Sequence, residues 1–150
     1  MVEDGQALFR HYQQMRGDLL SAVAGLSEDV MTEPSLDGWS VKDHFAHLAF
    51  WDEIRASEVV RISAGYATAW RTSGDQDETF NTLIHDLRLG LSLDQVKWEL
   101  AASRRRLLEA IASATERGLD ASLYGEAALR STHEATHTGW IKRWRAQRGL

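Results

Sequence analysis

Two histidines stand one helical turn apart near the C-terminus of the chain. His133 and His137 lie in a segment from Ser131 to Trp144 whose pattern predicts an α-helix. Side chains at positions i and i+4 of a helix are about 6 Å apart at Cβ, so both imidazoles can bind one metal ion at about 2.1 Å. At about 100° per residue, both share a face that a surface helix turns toward its core. That face also carries Leu129, Trp140 and Trp144.

A third histidine would complete an open three-nitrogen site, in which a divalent ion keeps one position free for water, substrate or thiol. His47, which shares an earlier helix face with Trp51, is the best placed candidate. His44 lies one turn earlier on nearly the same face and is the alternative, which the sequence does not separate from His47. His11 and His85 rank below both.

The spacing also permits simpler interpretations. Histidines at the edge of a core commonly hydrogen-bond to backbone or carboxylate groups, and a tryptophan-rich helix face commonly packs in a core. Glu53 and Glu134 lie close to the histidines in sequence, and we expect them to be solvated or at most to hydrogen-bond a ligand. The pair alone therefore does not establish a metal site.

Composition narrows the class of protein. The 150 residues, 43% of them hydrophobic, predict one globular domain over residues 1–150. The absence of cysteine restricts any metal site to nitrogen and oxygen ligands. The net charge of -5, with arginines interspersed among acids, argues against a nucleic-acid-binding surface, and Arg104–Arg106 is expected to be a solvated helix face. No apolar run approaches a membrane span of about 18 residues and no signal peptide is evident, so we expect a cytoplasmic location.

Four long helical patterns organise the chain. They cover about residues 4–26, 40–63, 92–118 and 131–144, and Ser27–Gly38, which contains Pro34, is expected to be a connection. Ser40 followed by Asp43, and Ser92 followed by Gln95, are typical helix-starting pairs.

The second and third long patterns are separated by a long crossover in which Thr79 to Leu89 predicts a short extra helix. The crossover is long enough for these two helices to run parallel or antiparallel. The sequence therefore predicts an all-α protein, a four-helix bundle with a long helix 2 to helix 3 crossover.

Three parts of the sequence resemble the DinB-like superfamily, and the DfsB/ClbS-like branch is the most similar. They are the segment Gly38–Trp51, the Phe80-Asn81 pair before a helix that starts with serine, and His133-x-x-x-His137. The resemblance covers nearly the whole chain in order and spacing. It implies a four-helix bundle in which His47, His133 and His137 bind a divalent metal ion, often zinc or nickel.

Members of this superfamily include transferases and isomerases that use low-molecular-weight thiols, and a ClbS-like member hydrolyses a reactive genotoxin. The resemblance therefore implies a metal-dependent hydrolase or thiol-dependent transferase that acts on a small reactive molecule. In this interpretation Trp39, Trp51 and Trp140 wall a pocket beside the metal, and His44 serves as proton carrier or as hydrogen-bond partner of a ligand.

The sequence is also compatible with two other classes of function. The bundle could bind or sequester a small hydrophobic toxin or metabolite without turnover, using the same aromatic pocket. Alternatively, the histidines could be structural and an exposed apolar face could form a homodimer.

Overall fold

The computed structural model describes residues 1–150, and its regular secondary structure is all helical, without a β-strand. The six α-helices are α1 (Gly5–Val23), α2 (Glu28–Thr32), α3 (Val41–Ser63), α4 (Gly74–Arg88), α5 (Leu93–Ala112) and α6 (His133–Arg148). The bundle consists of α1, α3, α5 and α6, and α4 lies in the crossover, as the sequence predicts. Two short 3-10 turns, Arg117–Leu119 and Ala121–Leu123, follow α5. None of the helices combines the length and the apolar character needed to cross a membrane.

Hydrogen bonds at the helix starts confirm both predicted caps. The hydroxyl of Ser40 accepts from the amide of Asp43 at 3.1 Å, and the Asp43 carboxylate accepts from the amide of Ser40 at 2.8 Å. Ser92 and Gln95 form the same reciprocal pair at the start of α5. Each pair satisfies amides that the first helical turn leaves without partners, which fixes where α3 and α5 begin.

Several predicted boundaries are wrong. The extra helix begins at Gly74, not at Thr79, because Ser73 and Gln76 form a third reciprocal cap. The first helix ends at Val23, and the expected connection after it contains the short helix α2. The third long helix ends at Ala112, and 3-10 turns take up the chain that follows.

Side-chain contacts show that α3 and α5 run parallel, which the sequence left open. The residue numbers of the contacting pairs increase in the same direction along both helices. The pairs are Lys42 with Leu91, Asp52 with Arg104, and Ser63 with Thr115. The same rising order relates α1 to α6, at His11 with Ser131 and Ala22 with Arg145. The crossover therefore returns the chain to the end of the bundle where α3 begins, and it passes the start of α3 on the way.

A layer of charged residues divides the core into two apolar parts. One part holds 14 buried residues, including Val41, Phe45 and Ile141, and the other holds 8, including Leu8 and Leu107. Along α1, α3 and α5 a charged residue of this layer lies between the residues of the two parts, and on α6 one lies between Leu129, which precedes the helix, and Ile141. These residues are Arg16 on α1, Asp52 on α3, Arg104 on α5 and Glu134 on α6.

Within this layer each charge meets opposite charges from other helices. The Arg104 guanidinium donates to Asp52 at 2.9 Å and to Glu134 at 3.1 Å. Arg16 donates to Glu134 at 3.0 Å and to Asp52 at 3.2 Å. The expectation that Arg104 and Glu134 are solvated is therefore wrong, since Glu134 is only 4% exposed. Paired in this way, the charges can be buried, and they tie the first turn of α6 to α1 and α5.

Candidate metal centre

Three histidines from two helices point one ring nitrogen each at a common point. The Nε2 atoms of His47 and His133 are 3.1 Å apart, and those of His133 and His137 are 3.0 Å apart. Ring nitrogens of the three residues, one from each, all lie within 4.8 Å of one another. An ion with bonds of about 2.1 Å bridges nitrogens up to about 4.2 Å apart, so both contacts of His133 suit one shared ion. The structure thus brings together the three residues that the resemblance implies.

Local structure explains how the two helices present these rings. His47 follows the capped start of α3, while His133 and His137 occupy successive turns at the start of α6. The chain leading into α6 is held by α1: the Tyr12 hydroxyl accepts from the amide of Ser131 at 3.0 Å and donates to the carbonyl of Leu129. His133 is thereby set opposite His47.

His44 contacts His137 on the side that faces away from the convergence point. Its Nδ1 is 2.7 Å from Nδ1 of His137, the nitrogen that faces away from the other two rings. One of the two nitrogens must carry the proton and the other must accept it. The structure therefore places His47 at the convergence point and His44 beside the outer nitrogen of His137.

Burial makes all four imidazoles weak bases. Desolvation lowers the pKa of His44 to about 4, of His47 to about 3, of His133 to about 4 and of His137 to about 2. Neighbouring histidines lower the pKa of His47 and His137 further, and Arg55 does so for His133. At neutral pH these side chains are therefore uncharged, which is the form that binds metal ions.

A cavity of about 520 Å³ opens over the histidines, and Trp39 and Trp140 line it. The Trp39 ring packs edge-on against His44 and His47, with ring centroids 5.3 and 5.6 Å apart. The Trp140 centroid is 4.7 Å from that of His137. Trp140 is 44% exposed, so the prediction that it faces the core is wrong, and it stands at the mouth of the cavity instead.

Trp51 lies elsewhere. It is buried, its ring centroid is 6.4 Å from that of His133, and its Nε1 donates to the Asn81 side chain at 2.9 Å. It does not belong to the lining of the cavity over the histidines. Trp51 therefore connects α3 to α4, and through Asn81 it helps to set the position of the opposite cavity wall.

The two lower-ranked histidines do not join the cluster. His11 contacts the carbonyl of Ser131 through Nε2 at 2.7 Å. His85 stacks on Trp39 with centroids 4.9 Å apart, and its Nε2 is 3.4 Å from the Asp43 carboxylate.

Sequence reasoning missed the wall that faces the histidines. It is built from the loop before α3 and the first half of α4. These residues are Leu36, Asp37, Glu78, Asn81 and Thr82. Because they come from the connection and the crossover, no periodic pattern pointed to them. The capping pair Ser73 and Gln76 is the sequence signal that gives the start of α4, and with it the position of this wall.

Comparisons with known proteins give the family of this chain and match its fold. The family model described as the DinB superfamily matches residues 11–141. The crystal structure of an uncharacterised protein from Escherichia coli UTI89 has the same fold, with a TM-score of 0.79 at 14% sequence identity over 97% of this chain and 95% of that chain. A search of curated proteins found no match.

Proposed function

The chain belongs to the DinB superfamily, and from this premise we propose that it is a metal-dependent enzyme. In this proposal a divalent ion, zinc or nickel, is held by Nε2 of His47, His133 and His137. The enzyme would be a hydrolase or a thiol-dependent transferase that acts on a small reactive molecule. The observation that carries the proposal is the convergence of the three Nε2 atoms, two of which contact that of His133 at 3.0 and 3.1 Å.

The donor set favours a cation over hydrogen bonds among the rings. An imidazole nitrogen carries either one lone pair or one proton, yet Nε2 of His133 faces two other nitrogens. Only one of these contacts can be a well-aligned hydrogen bond to that atom. A metal ion accepts all three lone pairs at once, and zinc and nickel both bind imidazole well.

His44 fits the role of a positioning residue for His137. With Nε2 of His137 turned toward the ion, its Nδ1 carries the proton and donates to Nδ1 of His44 at 2.7 Å. Such a bond fixes the tautomer and the orientation of a ligating ring. His44 is then protonated at Nε2.

The surrounding residues suit chemistry on a small molecule. An ion bound by three neutral histidines would supply Lewis-acid activation of a water molecule or a thiol at its free position. The cavity of about 520 Å³ is in the size range of small-molecule sites. Trp39 and Trp140 present apolar surface in the same cavity.

Metal analysis tests the proposed site. Protein freed of its purification tag should retain about one zinc or nickel ion per chain. His137→Ala should lose it, while His11→Gln, a change outside the cluster, should retain it. Equal metal content in the wild type and His137→Ala would refute the site.

Activity assays then separate the enzyme classes. A hydrolase should consume an activated ester without added thiol, whereas a transferase should conjugate an electrophile such as 1-chloro-2,4-dinitrobenzene only when a thiol is present. Binding of small molecules by the metal-loaded protein, without metal-dependent turnover of either kind, would instead support a sequestering protein.

A further inference from the structure

The charged side chains that line the cavity over the histidines are all acidic. Asp37 and Glu78, both exposed, are the charged residues in its lining, and neither Lys nor Arg lines it. Asp37 comes from the loop before α3 and Glu78 from the second turn of α4, so two separate elements supply the negative charge. The neighbouring Lys42 is turned away, because its ammonium donates to the carbonyls of Leu89 and Leu91.

Aromatic rings accompany these carboxylates. Trp39 and Trp140 line the same cavity, and Trp140 is accessible at its mouth. The face of an indole attracts a cation through its electron density, and aromatic rings combined with carboxylates are a common way to recognise ammonium groups.

The histidine end of the cavity would instead attract negative charge once a divalent ion is bound. Three neutral imidazoles leave the charge of a bound divalent ion uncompensated, so an anionic group of a ligand is favoured there. His44 also lines the cavity, is only 5% exposed, and its Nε2 has no hydrogen-bond partner. With His44 protonated at Nε2, this buried donor suits an acceptor atom of a ligand.

We propose that the cavity takes an amine-bearing small molecule, with its anionic or thiol group at the histidines and its ammonium group beside Asp37, Glu78 and the two tryptophans. This inference rests on the proposed function and names the substrate or thiol class of the same site. Ligands with several carboxylates are disfavoured, because their charges would meet the carboxylates at the cavity mouth.

Two thiols of similar size test the charge preference: cysteamine, which carries an ammonium group, and 3-mercaptopropionate, which carries a carboxylate. Each is titrated into cobalt(II)-loaded protein, and the near-ultraviolet absorption of thiolate bound to cobalt reports affinity. The quantity compared is the ratio of the two affinities, measured in wild type and in the Asp37→Asn/Glu78→Gln double variant. Differences in thiol acidity cancel in this comparison.

The substitutions retain shape while they remove charge. Asp37 has a φ of 51°, a conformation that asparagine also tolerates. The matched control is Glu116→Gln, which removes an exposed carboxylate outside the cavity lining. The double variant should lower the cysteamine-to-mercaptopropionate ratio about tenfold, and the control should leave the ratio unchanged. An unchanged ratio in the double variant would overturn the inference.

A failure of the proposed metal site has a different signature. If the protein retains no cobalt(II) by elemental analysis before any thiol is added, the metal proposal fails, and tetramethylammonium titrated into the metal-free protein and followed by NMR decides the ammonium preference alone. Binding that the double variant weakens and the control retains supports ammonium recognition. No binding to wild type, or equal binding to wild type and the double variant, overturns it.

Discussion

Acidification should destabilise the metal-free protein well above the pH at which carboxylates titrate. His44, His47, His133 and His137 all have a pKa lowered to about 4 or below, mainly by burial. In the unfolded chain each recovers an ordinary histidine pKa of about 6.5. The unfolded state therefore binds more protons than the folded state below that value. The contribution of neutral histidines to stability is present above pH 6.5 and is lost as the pH falls.

The magnitude follows from this difference in proton binding. Between pH 7.5 and 5.5 a histidine with a pKa near 6.5 only in the unfolded state removes about 1.4 kcal/mol from the free energy of unfolding. Four independent groups would remove at most about 5.5 kcal/mol, a large part of the total stability of a typical domain. The result depends little on the folded-state pKa values, because all four lie well below 5.5.

Urea unfolding in the presence of a chelator, followed by circular dichroism at pH values from 7.5 to 5.5, measures this loss. The slope of the unfolding free energy against pH gives the number of protons taken up on unfolding. His137→Gln should reduce the slope by about one proton per chain at pH 5.5, whereas His11→Gln lies outside the cluster and should leave the cluster's contribution in place. A wild-type unfolding free energy that stays constant over this range would refute the burial of four neutral histidines.

Other parts of the structure make separate predictions. Asp52→Asn should cost about 3–5 kcal/mol in the free energy of unfolding, because it leaves Arg104 buried with one charged partner fewer; urea titration at pH 7.5 measures it, and a loss below about 1 kcal/mol would contradict the role of the layer. Ser40→Ala should cost about 1 kcal/mol by the same assay, since it removes the cap of α3. His44→Phe should retain one metal ion per chain but weaken its affinity about 10–100-fold, as measured by competition with a chelator; unchanged affinity would contradict its action on His137.

Local sequence patterns predicted the helix caps and the bundle, whereas contacts between residues far apart in the sequence determine how the site is assembled. The caps at Ser40 and Ser92 were predictable because both partners of each cap lie within one helical turn. The four-helix bundle followed from apolar stripes on each helix, and the resemblance supplied the set of three histidines. Which of His44 and His47 meets the other two rings depends on how α3 and α6 cross, which spacing along one helix does not determine.

The charged layer shows most clearly what local sequence patterns do not predict. Arg104 lies in a run of three arginines, and by local composition the run is typical of a solvated helix face. Only the assembled bundle brings Asp52 from α3 and Glu134 from α6 to the same guanidinium. The acidic wall of the cavity was missed for a related reason, since Asp37 and Glu78 belong to segments that the path of the chain, not a repeating pattern, brings to the histidines.

The charged layer and the histidine cluster meet at the start of α6, and this explains how a helix whose N-cap residue makes no capping bond can present two candidate ligands. Thr132 makes no side-chain capping bond to the first turn. Instead, Glu134 is held by Arg16 and Arg104 on one side of the helix, while His133 faces His47 on the other. Adjacent residues on a helix point in different directions, so one turn can be anchored by one residue and supply chemistry from the next. The ion pairs therefore fix the geometry of the candidate metal centre without occupying any of its nitrogen atoms.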